Sequence, residues 1–203
     1  MMKKLLCTLL VILLTLALCA CTSDHPNKVS SDQMLTQAVL SQEEQDILSL
    51  LGTSNAVVLD YTVGKPIRTV RLERYELSAN GNWTPLGGGS FICSTDVGRI
   101  ALSMTPDRNE IRLAIQDEHG TSAVRSSYPI SDFTGMSIAN SYVSGEIAIV
   151  PDQEIPLAIQ ILTTQTETRS YAIDSFFHPE EIAQHGYEHV YAITATFSEN
   201  SFS

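Results

Sequence analysis

In successive runs between residues 55 and 197 apolar side chains recur at alternate positions, and no other feature restricts the fold as strongly. Successive side chains of a strand point to opposite faces, so this alternation marks strands with a buried face. Runs at 56–63, 67–77, 90–94, 99–104, 110–116, 121–128, 137–142, 146–150, 157–161 and 187–197 carry it, and 171–173 reads as a further piece of sheet. Turn signals stand between them: Gly64-Lys65-Pro66, Asn80-Gly81, Pro106 to Asn109, Asp117 to Gly120 and Gly145. Asn-Gly between two alternating runs is the strongest short-range hairpin signal, and it places Trp83 at the start of a returning strand. About ten short strands with frequent turns and no alternating βαβ pattern indicate a mainly β chain, an antiparallel β-sandwich or jelly-roll-like domain.

Three local features refine this reading. In the run over 67–77, Val70 and Leu72 are even-numbered while Tyr75 and Leu77 are odd, so a regular strand cannot hold both pairs on one face. A β-bulge near Glu73-Arg74 is therefore predicted. Gly87-Gly88-Gly89 precedes a strand rather than a helix N-terminus, so it lacks the dipole that favours anions and reads as a flexible β-connection. Two helices are expected. Ser41 and Glu44 have capping-box spacing ahead of Ile47, Leu48, Leu50 and Leu51, with Gly52 as a stop, which predicts a helix over 41–51. Similar spacing at Met34, Leu35, Ala38 and Val39 allows that helix to begin near residue 32. A short helix near 179–185 follows from Pro179 at its first turn and the acidic pair Glu180-Glu181. The first helix reads as packing on the domain, with a protein-docking helix as the sharper alternative.

The N-terminus is of another kind. Lys3 and Lys4 precede an apolar run over 5–20. At about 1.5 Å per residue, its sixteen residues fall short of the ~30 Å hydrocarbon core, so the run reads as a secretory signal rather than a permanent span. It ends in Leu18-Cys19-Ala20-Cys21, which resembles a bacterial lipobox. Leu18 is too bulky to precede the modified cysteine, whereas Ala20 precedes Cys21 and Leu18 then fills the aliphatic position. The resemblance implies cleavage before Cys21 and diacylglycerol on its sulfur. Two acyl chains hold a protein on a membrane stably where one does so only marginally. The expected organisation is a signal peptide over 1–20, a flexible tether over 21–31 and one β-rich domain over 32–203.

Charge and cysteine content narrow the partners. Loss of Lys3 and Lys4 leaves 10 basic against 23 acidic side chains, a formal charge of −13. Such a domain repels phosphate backbones, so no nucleic-acid partner is expected. Of four cysteines, the lipobox resemblance implies that Cys7 and Cys19 leave with the signal and that Cys21 is acylated. Cys93 remains alone, no intramolecular disulfide can form, and Cys93 reads as a buried, inert thiol.

Chemistry-bearing motifs are sparse. No phosphate-loop, dinucleotide, zinc-protease or nucleophile-elbow motif occurs, and no cofactor is implied. The densest cluster spans residues 178–189, where His178, His185 and His189, with Glu188, would make a metal site if the fold converged them. A polar helix–turn–strand junction is the plainer alternative. Trp83 reads first as a half-buried side chain at a strand start; on the alternative reading it, with Tyr75 and Tyr187, is the candidate for stacking against a sugar or other ligand. Asp107/Glu110 and Asp117/Glu118 are acidic pairs at turns, where aspartate bonds local amides.

With its lipobox and single β-rich domain, the chain resembles small lipoproteins of bacterial envelopes. That resemblance implies attachment through Cys21 to the extracytoplasmic face of the cell membrane. The expected role is a non-enzymatic binding or scaffolding module for an envelope protein or glycan partner. The alternatives are a wall- or glycan-directed hydrolase and a carbohydrate-binding module.

Overall fold

The computed structural model describes residues 33–53, 55–130 and 132–201. The expected signal peptide over 1–20, the expected lipidation site Cys21 and the expected tether over 21–31 lie outside the described residues.

Among the described residues, eleven strands form two antiparallel sheets. In chain order they are β1 (Met34–Gln37), β2 (Val57–Thr62), β3 (Thr69–Leu77), β4 (Trp83–Ile92), β5 (Val97–Thr105), β6 (Glu110–Asp117), β7 (Gly120–Ser126), β8 (Ser137–Tyr142), β9 (Glu146–Ala148), β10 (Glu154–Thr163) and β11 (His189–Ser198). The first sheet runs β7-β6-β5-β2-β1-β9 and the second β4-β3-β11-β10-β8. Leu59, Ile100 and Leu113 of the first sheet and Leu72, Ile193 and Phe197 of the second are fully buried in one shared cluster. The architecture is thus a β-sandwich, as the alternation predicts. After β7 the buried Tyr128 donates through its hydroxyl to Gln160 Oε1 at 2.6 Å, while Gln160 Nε2 donates to Asn140. This satisfies an amide that has no solvent exposure and that would be costly to bury alone.

A second apolar cluster lies on the outer face of the five-stranded sheet. Leu77, Ile159, Ile161, Val190 and Ala192 project there, and the connection 164–188 folds over them with Phe176 and Ile182. This connection carries a 3-10 turn at Ile173–Phe177 and the short helix α2 (Glu180–Ala183). The piece of sheet expected at 171–173 is therefore not a strand: those residues enter the cover, with Tyr171 and Ile173 packed on the second cluster. Pro179 caps α2 rather than opening it.

The two cores explain the parity change in β3. Val70 and Leu72 face the inter-sheet core, while Tyr75 and Leu77 face the second cluster, so both sides of one regular strand are buried. Pairing of β3 with β11 runs unbroken from Thr69 to Glu76. A register shift does occur at Arg74/Tyr75 against β4, but the extra residue, Leu86, belongs to β4. Gly87 beside it has φ +87°, the positive angle a glycine bulge uses. The converse case is β10. Leu157, Ile159 and Ile161 alternate perfectly in sequence, yet Leu157 faces the inter-sheet core and the two isoleucines face outward. A bulge between Pro156 and Ala158 reverses the parity in between.

Two other expectations need correction. Residues 34–37 are not a helical extension but strand β1, with Leu35 buried between β2 and β9. The three glycines are not a flexible connection but the middle of β4, paired with β3. A Cβ on Gly88 would stand 1.8 Å from the Leu72 carbonyl oxygen, so this close pairing requires a glycine.

Candidate functional site

The residues singled out by sequence separate in space. His178 is exposed, with Nδ1 3.8 Å from Glu180. His185 stacks on Tyr187 at 5.7 Å and approaches Tyr171 at 6.0 Å, on the rim of the second cluster. His189 lies elsewhere, with Nδ1 3.1 Å from Glu76 Oε1 and its ring stacked on Tyr191, which belongs to the inter-sheet core. The three histidines do not converge, and among the described residues no group of three or more His, Cys, Asp or Glu side chains is placed to hold a metal. Glu188 accepts instead from the hydroxyls of Thr163 and Thr164, which hold its carboxyl down at about 2. Its task is to pin the end of the 164–188 cover to β10.

Trp83 is likewise occupied. Its indole N–H donates to the Phe176 carbonyl at 2.8 Å and its ring stacks on Phe176 at 5.2 Å, so it is half-buried and fastens the cover to β4. Tyr75 packs edge-on against the same phenylalanine at 5.8 Å. The aromatic set read as a ligand platform is thus engaged in internal packing. Of the acidic groups, Asp117 accepts backbone N–H bonds from Ser94 and His119, and Glu110 bridges Arg112 and Arg125. Cys93 is buried, and burial pushes its thiol up to about 11, which agrees with an inert side chain.

The surface that stands out was only partly legible in the sequence. Helix α1 (Gln42–Leu50) starts at the expected capping box: Ser41 Oγ accepts from the Glu44 N–H, and the Ser41 N–H donates to Glu44 Oε2 at 2.7 Å. It stops at Gly52, whose φ is +64°. None of its nine residues is buried. Leu50 is 87% exposed, and Ile47, Leu51 and the preceding Val39 are exposed with it. An amphipathic helix of a globular domain usually turns such a stripe inward.

Beside α1 lies a groove of about 240 Å³ on the outer face of the six-stranded sheet. Leu40, Ile47 and Leu48 form its helix side. Val58, Ala101 and Ala114 form its floor as registered neighbours on β2, β5 and β6, and the row continues to Ala123 on β7. One polar latch crosses the groove. Arg99 donates through Nη1 to Glu44 Oε1 at 3.0 Å and through Nε to Asp60 at 2.9 Å. The Ser41 backbone N–H and then Arg99 hold the Glu44 carboxyl below its usual range. At the other end, Arg108 donates to the Leu51 carbonyl at 2.8 Å. The helix is therefore held by polar contacts at its two ends, with its apolar flank open to the groove.

The alanines were missed because small residues give no periodic signal. Only the strand register shows that Ala101, Ala114 and Ala123 line up across three strands. Comparison with known proteins found no matching family model, no matching curated protein and no matching solved structure.

Proposed function

We propose that this protein is a lipid-anchored module on the extracytoplasmic face of a bacterial cell membrane, and that it acts by binding another protein surface rather than by catalysis. The observation that carries the reading is the uncovered apolar flank of α1 beside an apolar groove. Side chains such as Leu50 and Ile47 contribute nothing to the domain core, and a stripe of this kind contributes free energy only when a partner covers it. The lipobox at Cys21 supports the address. Up to twelve residues separate Cys21 from β1, a tether of at most roughly 40 Å, so the domain would work close to the bilayer.

The test is crosslinking in intact host cells. Wild-type chain should fractionate with membranes and form α1-dependent adducts, and Cys21→Ala should leave the membrane fraction or accumulate as precursor. Leu50→Glu should lose the adducts while remaining folded and membrane-bound. Normal acylation of Cys21→Ala would overturn the address, and adducts unchanged by Leu50→Glu would overturn the site.

A further inference from the structure

We propose that the occupant of the groove is α1 of a second copy of this chain, so that two domains pair face to face with their helices side by side between two six-stranded sheets. The inference rests on the binding-module reading above and names its partner.

The width of the groove selects a helix. The face beside α1 spans β2, β5, β6 and β7 in consecutive register. Four strands at about 4.8 Å spacing make a floor close to 19 Å wide, side chains included, and one helix with its side chains covers about 10 Å. Helix α1 meets this face on its β2–β5 side, where Glu44 pairs with Arg99 of β5 and Arg99 with Asp60 of β2. On the β6–β7 half the floor falls to the methyl groups of the registered pair Ala114 and Ala123, and it is there that a second helix would seat.

This chain itself presents a helix that fits there. On α1, Leu50 stands with Glu43 and Asp46 on the side turned away from its own sheet, since Glu44 and Leu48 face the sheet and groove. Laid on the β6–β7 half of a second copy, Leu50 would enter the shallow floor left by Ala114 and Ala123, and Ile47 and Leu51 would meet their counterparts across the seam. The charges match as well. Next to that floor, Arg112 and Arg125 are registered partners and exposed, and both lean on the single carboxylate of Glu110. Two cations sharing one anion leave a positive margin, and Glu43 and Asp46 on the exposed side of α1 supply the negative one. Knob and hole, acid and base, thus occur on one surface, which is the requirement for a two-fold, isologous contact. Confinement of lipid-anchored copies to one membrane plane would raise their effective concentration, so a contact of modest area suffices.

The test uses full-length, lipidated chains carrying two different tags in the same cells. One copy bears Leu50→Cys and the other Ala123→Cys, and a short bismaleimide joins them. The buried Cys93 does not compete. The control replaces Ala123→Cys by Glu146→Cys on the edge strand β9, at the opposite end of the sheet order. The mixed-tag product should exceed the control by about tenfold, the equivalent of ~1.4 kcal/mol, and either Ala114→Arg or Leu51→Glu should remove that excess. Because Leu51 is an exposed side chain, that variant keeps the monomer folded even if Ala114→Arg does not. Mixed-tag product no greater than the control would overturn the pairing. If Leu50→Cys then joined a different envelope protein in an Ala114-dependent way, the binding-module reading would stand without self-pairing. If it joined nothing dependent on Ala114, both would fall.

Discussion

The two outer faces of this sandwich carry opposite solutions to the same problem. On the five-stranded sheet, the chain covers its own apolar residues: the segment 164–188 lays Phe176 and Ile182 over Leu77, Ile159 and Val190 and is fastened by Trp83 and Glu188. On the six-stranded sheet, a helix is present but stands on polar feet, with no buried residue and Leu50 in solvent. Both covering segments carry apolar side chains, so hydrophobicity alone does not decide which is buried. The difference is in the floor. Large aliphatic side chains meet Phe176, whereas α1 faces Ala101 and Ala114, which are too short to close on it. One face completes the fold and the other is left available.

Mutations should expose that contrast in stability. The largest effect is expected from Phe176→Ala, which empties the second cluster and should cost about 3–5 kcal/mol in denaturant unfolding. A loss below 1 kcal/mol would mean the cover is only loosely attached. Trp83→Phe keeps an aromatic ring, though a smaller one, and deletes the donor to the Phe176 carbonyl, so the expected loss is about 1–2 kcal/mol, together with faster proteolysis within 164–188. On the other face, Arg99→Ala should cost roughly 0.5–1 kcal/mol, because its two ion pairs are partly exposed. Its clearer readout is faster amide exchange within α1 and unchanged exchange in β5. Leu50→Ala should stay within about 0.5 kcal/mol of wild type. A large loss there would show that α1 is part of the core after all and remove the contrast.

Acid sharpens the same comparison. The Glu188 carboxyl, held at about 2 by the Thr163 and Thr164 hydroxyls, sits below the ordinary glutamate range. A depressed folded-state value stabilises the fold above the unfolded value of ~4.3, and this contribution is lost as pH falls from there through about 2. Protection of the 164–188 cover in amide exchange should therefore weaken across that window in wild type and be independent of it in Glu188→Gln. Identical pH profiles for the two proteins would remove Glu188 as the pin.

Much of the scaffold was legible because its signals are local. Hairpin glycines, the Ser41–Glu44 box and the turn at Pro106–Arg108 act through neighbours in sequence, and each lies where the pattern put it. The misreadings share one cause. A period-two pattern reports that alternate residues are buried, not against what. In β3 the change of parity marks a second core, while the bulge found beside Arg74 has its extra residue on β4, and in β10 perfect parity concealed a bulge that sends Leu157 and Ile159 to different cores. Trp83 and the histidines of 178–189 drew attention by residue type, but their roles depend on which segment folds over which strand.

Composition, alternation and turn chemistry by themselves determined that the chain is a mainly β domain with a capped helix at its start, because strand and cap preferences are satisfied within a few residues. The resemblance of Leu18-Cys19-Ala20-Cys21 to a lipobox is likewise a linear reading that needs no fold. Only the tertiary structure decided which apolar residues became core and which remained surface. That outcome depends on register across strands and on the depth of the facing floor. At α1 the floor beneath Ile47 is short and Leu50 is turned away from it, so Ile47, Leu50 and Leu51, written in the sequence like any other buried stripe, stay outside.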